Sequence, residues 1–201
     1  MKRNFLSIAT LLALVFSLAS FSSIAPEADS WEIDQGHSSV SFSVNHFFSP
    51  VIGRFNDFTT SLNFDPSDLE GSEVSFTVQV ASVNTQDKKR DKHLQSKDFF
   101  NAEKFPQMSF KSSKFEKVDD KNYNVTGNLT IRDVSKEITI PLQVLALQQH
   151  PMKKSKMVAA LKAEFKINRN VYGVGSGSWA AATVVGDDVD VTVLVEALRK
   201  K

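Results

Sequence analysis

From Trp31 onward the chain alternates apolar and polar residues with a period of two, the repeat of a strand that buries one face. In SSVSFSVNHFF (38–48), Val40, Phe42 and Val44 fall on one side and Ser39, Ser41 and Ser43 on the other; the same period carries His46 onto the apolar side. Phe58, Leu62 and Phe64 in FTTSLNFD repeat the arrangement, as do Val74, Phe76, Val78 and Val80 in EVSFTVQV. Met108 and Phe110 begin another run, Tyr123, Val125, Leu129 and Ile131 mark the next, and Ile138, Ile140, Leu142 and Val144 the one after. Leu161, Ala163 and Phe165 then alternate with Lys162, Glu164 and Lys166, and Val189, Val191, Val193 and Val195 close the series.

Eight strands with one apolar and one polar face predict an all-β fold with antiparallel pairing around a shared interior. Turn signals separate several of them: Pro50 with Gly53, DPSDLEG at 65–71, VDDKN at 118–122, HPMKK at 150–154 and GDD at 186–188. A two-sheet sandwich and a closed eight-stranded barrel both fit this pattern. Small inward residues, Ala159 and Ala163 around Leu161 and Gly127 between Val125 and Leu129, suit a hollow interior; they would equally fill the taper of a packed barrel. The segment 84–107, NTQDKKRDKHLQSKDFFNAEKFPQ, breaks the alternation and is too long for a hairpin. Its DKKRDKHL suits a short helix, and Asp98 is placed to cap a second turn. Phe99, Phe100 and Phe105 need burial there, which a flap across one barrel end would supply.

The N-terminus changes the picture of where this domain works. MKRNF, then ATLLALVFSLA, then small residues read as a secretory signal peptide ending near residue 25, with 26–30 a linker and 31–201 a single domain. No later segment reaches membrane-span length. Loss of Lys2 and Arg3 with the signal would turn the net charge from +1 to −1, which leaves no broad attraction to nucleic acid or anionic membrane. With no cysteine in the chain, disulfides, thiolate nucleophiles and cysteine zinc sites are excluded, and a hydrophobic core must hold the fold. Sixteen Phe against two Tyr and two Trp supply apolar area that needs no hydrogen-bond partner, which suits a packed core or a lipid tunnel.

Candidate chemistry is sparse. His37, His46, His93 and His150 stand among many Ser and Asp residues, but no serine sits in a glycine-flanked elbow and no histidine spacing matches a metal motif. GVGSGSW at 173–179 offers free amides without the Lys and following helix of a phosphate loop, and reads as a hairpin tip. Arg90, Asp91, Arg132, Asp133 and Arg169 fall at strand ends, where they would pair with one another or with an amphiphile's head.

Taken in order, WEID at 31–34, GHSSVSFSVNH, VIGRFNDF, RDKHLQSKDFFNAEKFPQMSF, GNLTIRDVSKEITIPL, NRNVYGVG and GDDVDVTVLVEA resemble the YceI-like family of secreted lipid-binding proteins over nearly all of the chain that follows the signal. The resemblance implies an extended antiparallel barrel similar to lipocalins, with an elongated pore for a polyisoprenoid or comparable long-chain amphiphile, and a periplasmic binding or carrier role without catalysis. It also implies that His37, Ser38, His46, Gly53, Phe55, Arg90, Asp91, His93, Leu94, Phe99, Phe100 and Pro106 are signature positions. Asp133 departs from the glycine usual in its turn, a left-handed position that Asp tolerates.

These readings set definite expectations. Val40, Phe42, Val44, Phe76, Val78, Leu129, Ile140 and Phe165 would form the ligand wall, His46 its polar stop or a tie to the RDKHL segment, and Phe99, Phe100 and Phe105 the flap. No catalytic residue, metal or cofactor is expected; the ligand would be a polyisoprenoid, an isoprenoid quinone or a fatty-acyl lipid. A homodimer is compatible with the sequence. Two alternatives stand beside this one: a lipid-modifying enzyme with His46 or His93 as general base, and a packed barrel whose outer surface binds a protein.

Overall fold

The computed structural model describes residues 30–201 except Ser176. The signal peptide and residues 26–29 of the linker therefore lie outside the described residues. Among the described residues, eleven antiparallel strands form one sheet: β1 (Glu32–Ile33), β2 (Ser39–His46), β3 (Ser49–Phe55), β4 (Phe58–Asn63), β5 (Glu73–Gln79), β6 (Val83–Asn84), β7 (Gln107–Lys117), β8 (Asn122–Ile131), β9 (Val134–Gln149), β10 (Lys156–Asn168) and β11 (Val185–Lys200). A helix, α1 (Lys88–Leu94), interrupts them.

Strand order is β4-β5-β7-β8-β9-β10-β11-β2-β3-β6, with β1 paired to β11. The sheet curls until its two ends meet, and short pieces of chain join them. At one end Trp31 bridges Leu62 of β4 while β1 pairs with β11; the Trp31 indole Nε1 donates to Phe64 O at 3.0 Å. At the other, Phe55 of β3 pairs with Val83 of β6, and β6 continues from β5 through a single 3-10 turn, Val80–Ser82. The alternatives of the sequence resolve to a barrel, because a sheet joined to itself leaves few unpaired edges.

The eight strands expected from periodicity are all present, and β1, β3 and β6 are added to them. Two of the additions are two residues long, too short to show a period. The third, β3, corrects a turn assignment: Pro50 and Gly53 lie inside it, opposite Asn45 and Phe42, and the turn is Phe47–Phe48. Phe47 holds a positive φ of 51°, a conformation bulky residues seldom adopt. Gly53 is required by packing, not by a turn, since a Cβ there would meet the Phe42 ring and the Thr85 methyl. GDD at 186–188 likewise makes no hairpin; it lies inside β11, where the register against β2 shifts between Val185 and Val189.

Candidate functional site

The inward lists converge on one cavity along the barrel. About 220 Å³ of it admits the centre of a water-sized sphere, and its lining is almost wholly apolar. It is bounded at one end by a packed cluster in which Trp31, Leu62, Phe64, Phe115 and Tyr123 are buried, the Phe64 ring 5.8 Å from Phe115 and 5.2 Å from Tyr123. At the other end the α1 segment and the loop after β10 fold over the strands. Leu94, Phe99 and Phe100 reach the lining from the first and Arg169 and Val174 from the second. The Phe100 ring meets Phe55 edge to face at 5.9 Å, and Phe99 lies 5.7 Å from Trp179.

The RDKHL sequence holds the α1 segment in place. Asp87 caps the helix, accepting from the backbone N–H of Lys89 (2.9 Å) and Arg90 (3.1 Å), bonds that lower its pKa. Asp91 Oδ1 accepts from both N–H (2.8 Å) and Oγ1 (2.6 Å) of the buried Thr85, while Arg90 Nε donates to Thr85 Oγ1 (2.7 Å) and Arg90 Nη2 to Thr85 O (2.8 Å). Arg90 and Asp91, expected as rim charges, are thus a clamp on the residue that follows β6. Asp98 does not cap the following turn; its Oδ2 faces His93 Nε2 at 3.1 Å, and the Ser96 hydroxyl accepts from the Asp98 N–H instead. The His93 ring sits between Phe99 (5.0 Å) and Trp179 (4.9 Å), joining the two segments that cover this end.

Arg169 is the largest departure from the sequence expectation. It is 4 % exposed, not at a rim, and all five of its N–H groups donate to backbone carbonyls. Nε reaches Gly186 O (2.8 Å), Nη1 reaches Val174 O (2.8 Å) and Gly175 O (3.1 Å), and Nη2 reaches Trp179 O (2.8 Å) and Val185 O (2.7 Å). Burial pulls its pKa down, and Asp187 at 3.7 Å opposes that. GVGSGSW is therefore no hairpin tip. Its glycines let carbonyls converge on the guanidinium: Gly173 and Gly175 have φ of 67° and 80°, and a Cβ on Gly175 would meet Arg169 Nη1. Nothing in the alternation could have shown this, because the partners are main-chain atoms.

Ten of the twelve residues expected at the ligand border the cavity: Val40, Phe42, Val44, Phe76, Val78, Phe99, Phe100, Leu129, Ile140 and Phe165. His46 and Phe105 do not. His46 is exposed at the end of β2, its ring 4.5 Å from Phe47; it is still paired with Val185 and Ser49, but it lies at the last position of the strand, past the lining. Phe105 is half-buried beneath the Arg132 guanidinium, 5.5 Å from its ring centre, outside the flap. Arg132, not Asp133, takes the left-handed turn conformation (φ 57°), and its Nη1 donates to the carbonyls of Phe99 and Gly173. Sequence reasoning passed over Thr60 and Thr85; the first stands on the inward register of β4, between Phe58 and Leu62.

A YceI-like domain model matches residues 31–197. Protein YceI of Escherichia coli is 31% identical over 195 residues, 96% of this chain and 98% of that protein. Among solved structures, BcnA of Burkholderia cenocepacia superposes with a TM-score of 0.76 at 28% identity, covering 83% of this chain and 99% of its own. A polyisoprenoid-binding domain from Saccharophagus degradans, implicated in plant cell wall breakdown, shares the fold (TM-score 0.65, 87% of this chain, 100% of that one) at 14% identity.

Proposed function

The chain belongs to the YceI-like family, and on that premise we propose that it is a periplasmic carrier holding one long-chain ligand, a polyisoprenoid, an isoprenoid quinone or a fatty-acyl lipid, inside its barrel. The observation that carries this reading is the apolar cavity lined from nearly every strand of the sheet. A chain there is gripped by area: at about 0.8 kcal/mol per buried CH2, about ten such carbons contribute about 8 kcal/mol before ordering costs. A domain of the same fold that binds polyisoprenoid supports the ligand class, and the signal-like N-terminus supports export.

Chemistry on a lipid head group has less behind it. Neither His46 nor His93 borders the cavity; the first lies in solvent and the second is paired with Asp98. Val44→Asp tests the carrier directly by placing a carboxylate on the wall, with Ile52→Asp on the exposed outer face as control. Displacement of a fluorescent, uncharged fatty-acyl ester should show affinity down by more than about tenfold for the first variant and unchanged for the second. Equal affinity in both would place the ligand elsewhere; should Val44→Asp not fold, the isosteric Val44→Thr carries the same comparison at smaller amplitude.

A further inference from the structure

Among the described residues bordering the cavity, four carry hydroxyl or nitrogen side-chain groups: Ser41, Thr60, Ser109 and Arg169. Three are accounted for. The Ser41 hydroxyl donates to Thr192 O at 3.2 Å, Ser109 is an exposed residue of β7, and the five N–H groups of Arg169 are all taken by carbonyls. Thr60 Oγ1 is buried and has no partner among the described residues. Its residue lies on the inward register of β4, between the buried Phe58 and Leu62 and opposite Phe76. A valine of the same shape would complete the apolar wall without cost, whereas a buried hydroxyl with no partner destabilises the empty barrel.

We infer that Thr60 Oγ1 is a ligand subsite: it donates a hydrogen bond to a neutral acceptor, a carbonyl of the bound lipid, held inside the barrel with apolar chain packed around it. This rests on the carrier reading and narrows it. Among the described residues the lining offers an anion no uncommitted cation, because Arg169 is spent on the main chain, so a carboxylate or phosphate head would lie buried without a counter-charge. An uncharged carbonyl in a chain or ring, as in an isoprenoid quinone or an ester, meets one donor and otherwise carbon. Of the ligand classes the cavity admits by shape, a carbonyl-bearing neutral lipid is the one that uses every group on its wall.

The test compares wild type, Thr60→Val and Thr60→Ser, each stripped of lipid, against two probes: a ubiquinone with a short isoprenoid tail, and squalene, which has no acceptor. Thr60→Val should lose about three- to tenfold in ubiquinone affinity while squalene binding holds or tightens, and Thr60→Ser should keep the ubiquinone affinity. The stripped Thr60→Val protein should also melt higher than wild type, since an unsatisfied hydroxyl has become a methyl. Equal loss for both probes, or no loss for either, overturns the subsite and leaves the carrier standing. Failure of wild type to bind either probe overturns the carrier reading and the subsite with it.

Discussion

Asp34 accepts from the backbone N–H of Gly36 (3.0 Å) and His37 (3.3 Å) and faces the His37 imidazole at 3.0 Å. Its pKa is lowered, first by the hydrogen bond to His37, and the His37 pKa is raised by the same bond. For the carboxylate the stabilisation is fully present above its unfolded pKa and is lost as pH falls through the folded one. For the imidazole it is fully present below its unfolded pKa and is lost as pH rises through the folded one. The pair therefore helps the fold most between about pH 4 and about pH 6.5. An NMR titration should find the His37 pKa above that of an unperturbed histidine, and Asp34→Asn should bring it down; an unchanged midpoint in the variant would show that the pair does not form in solution. The nearby Glu196 contributes a further raising effect and would remain. Other residue-scale features are the positive φ values of Phe47 and Arg132. No propensity rule would assign a phenylalanine or an arginine to those turn positions, which is why the sequence pointed to Pro50, Gly53 and Asp133 instead.

Elements that alternate were legible in the chain; elements that are held by a single side chain were not. Apart from the two-residue β6, the strands from β4 to β11 carry their inward residues at every second position between their register shifts, and β2 reads correctly until His46. β3 hid behind Pro50 and Gly53 because the reason for Gly53 is the ring of Phe42 on the neighbouring strand, a contact that exists only after pairing. The loop after β10 hid for a related reason: its shape is set by carbonyls gathered on Arg169. Arg169→Met should therefore cost at least about 3 kcal/mol in a urea titration, since five buried or half-buried acceptors lose their donor. Arg169→Lys, which restores charge and up to three donors, should recover part of that. Stability close to wild type for the methionine variant would mean that the loop holds its shape without the guanidinium. Because Val174 and Val185 border the cavity, the same variant should also loosen the barrel end and speed ligand exchange.

On the scale of the whole molecule, one sheet closes through minor contacts, a two-residue strand pair at one end and a bridge beside Trp31 at the other, and encloses a space that its side chains do not fill. Fold class followed from the period of two and from the absence of cysteine, which left burial as the means of stability. Whether the interior was hollow did not follow, because valine and phenylalanine line a packed core and a tunnel alike; only the closed geometry decides it. A carrier built this way pairs an apolar lining with polar ties gathered at its covered end, Thr85 with Asp91 and Arg169 with its carbonyls, the latter reaching Val185 and Gly186 at the start of β11. The central claim is that this space holds a lipid, and mass spectrometry of organic extracts from gently purified protein tests it most directly. About one long-chain, predominantly apolar molecule per folded protein is the predicted result. Folded protein whose extracts contain no such molecule, and which takes none up when lipid is supplied, would contradict it.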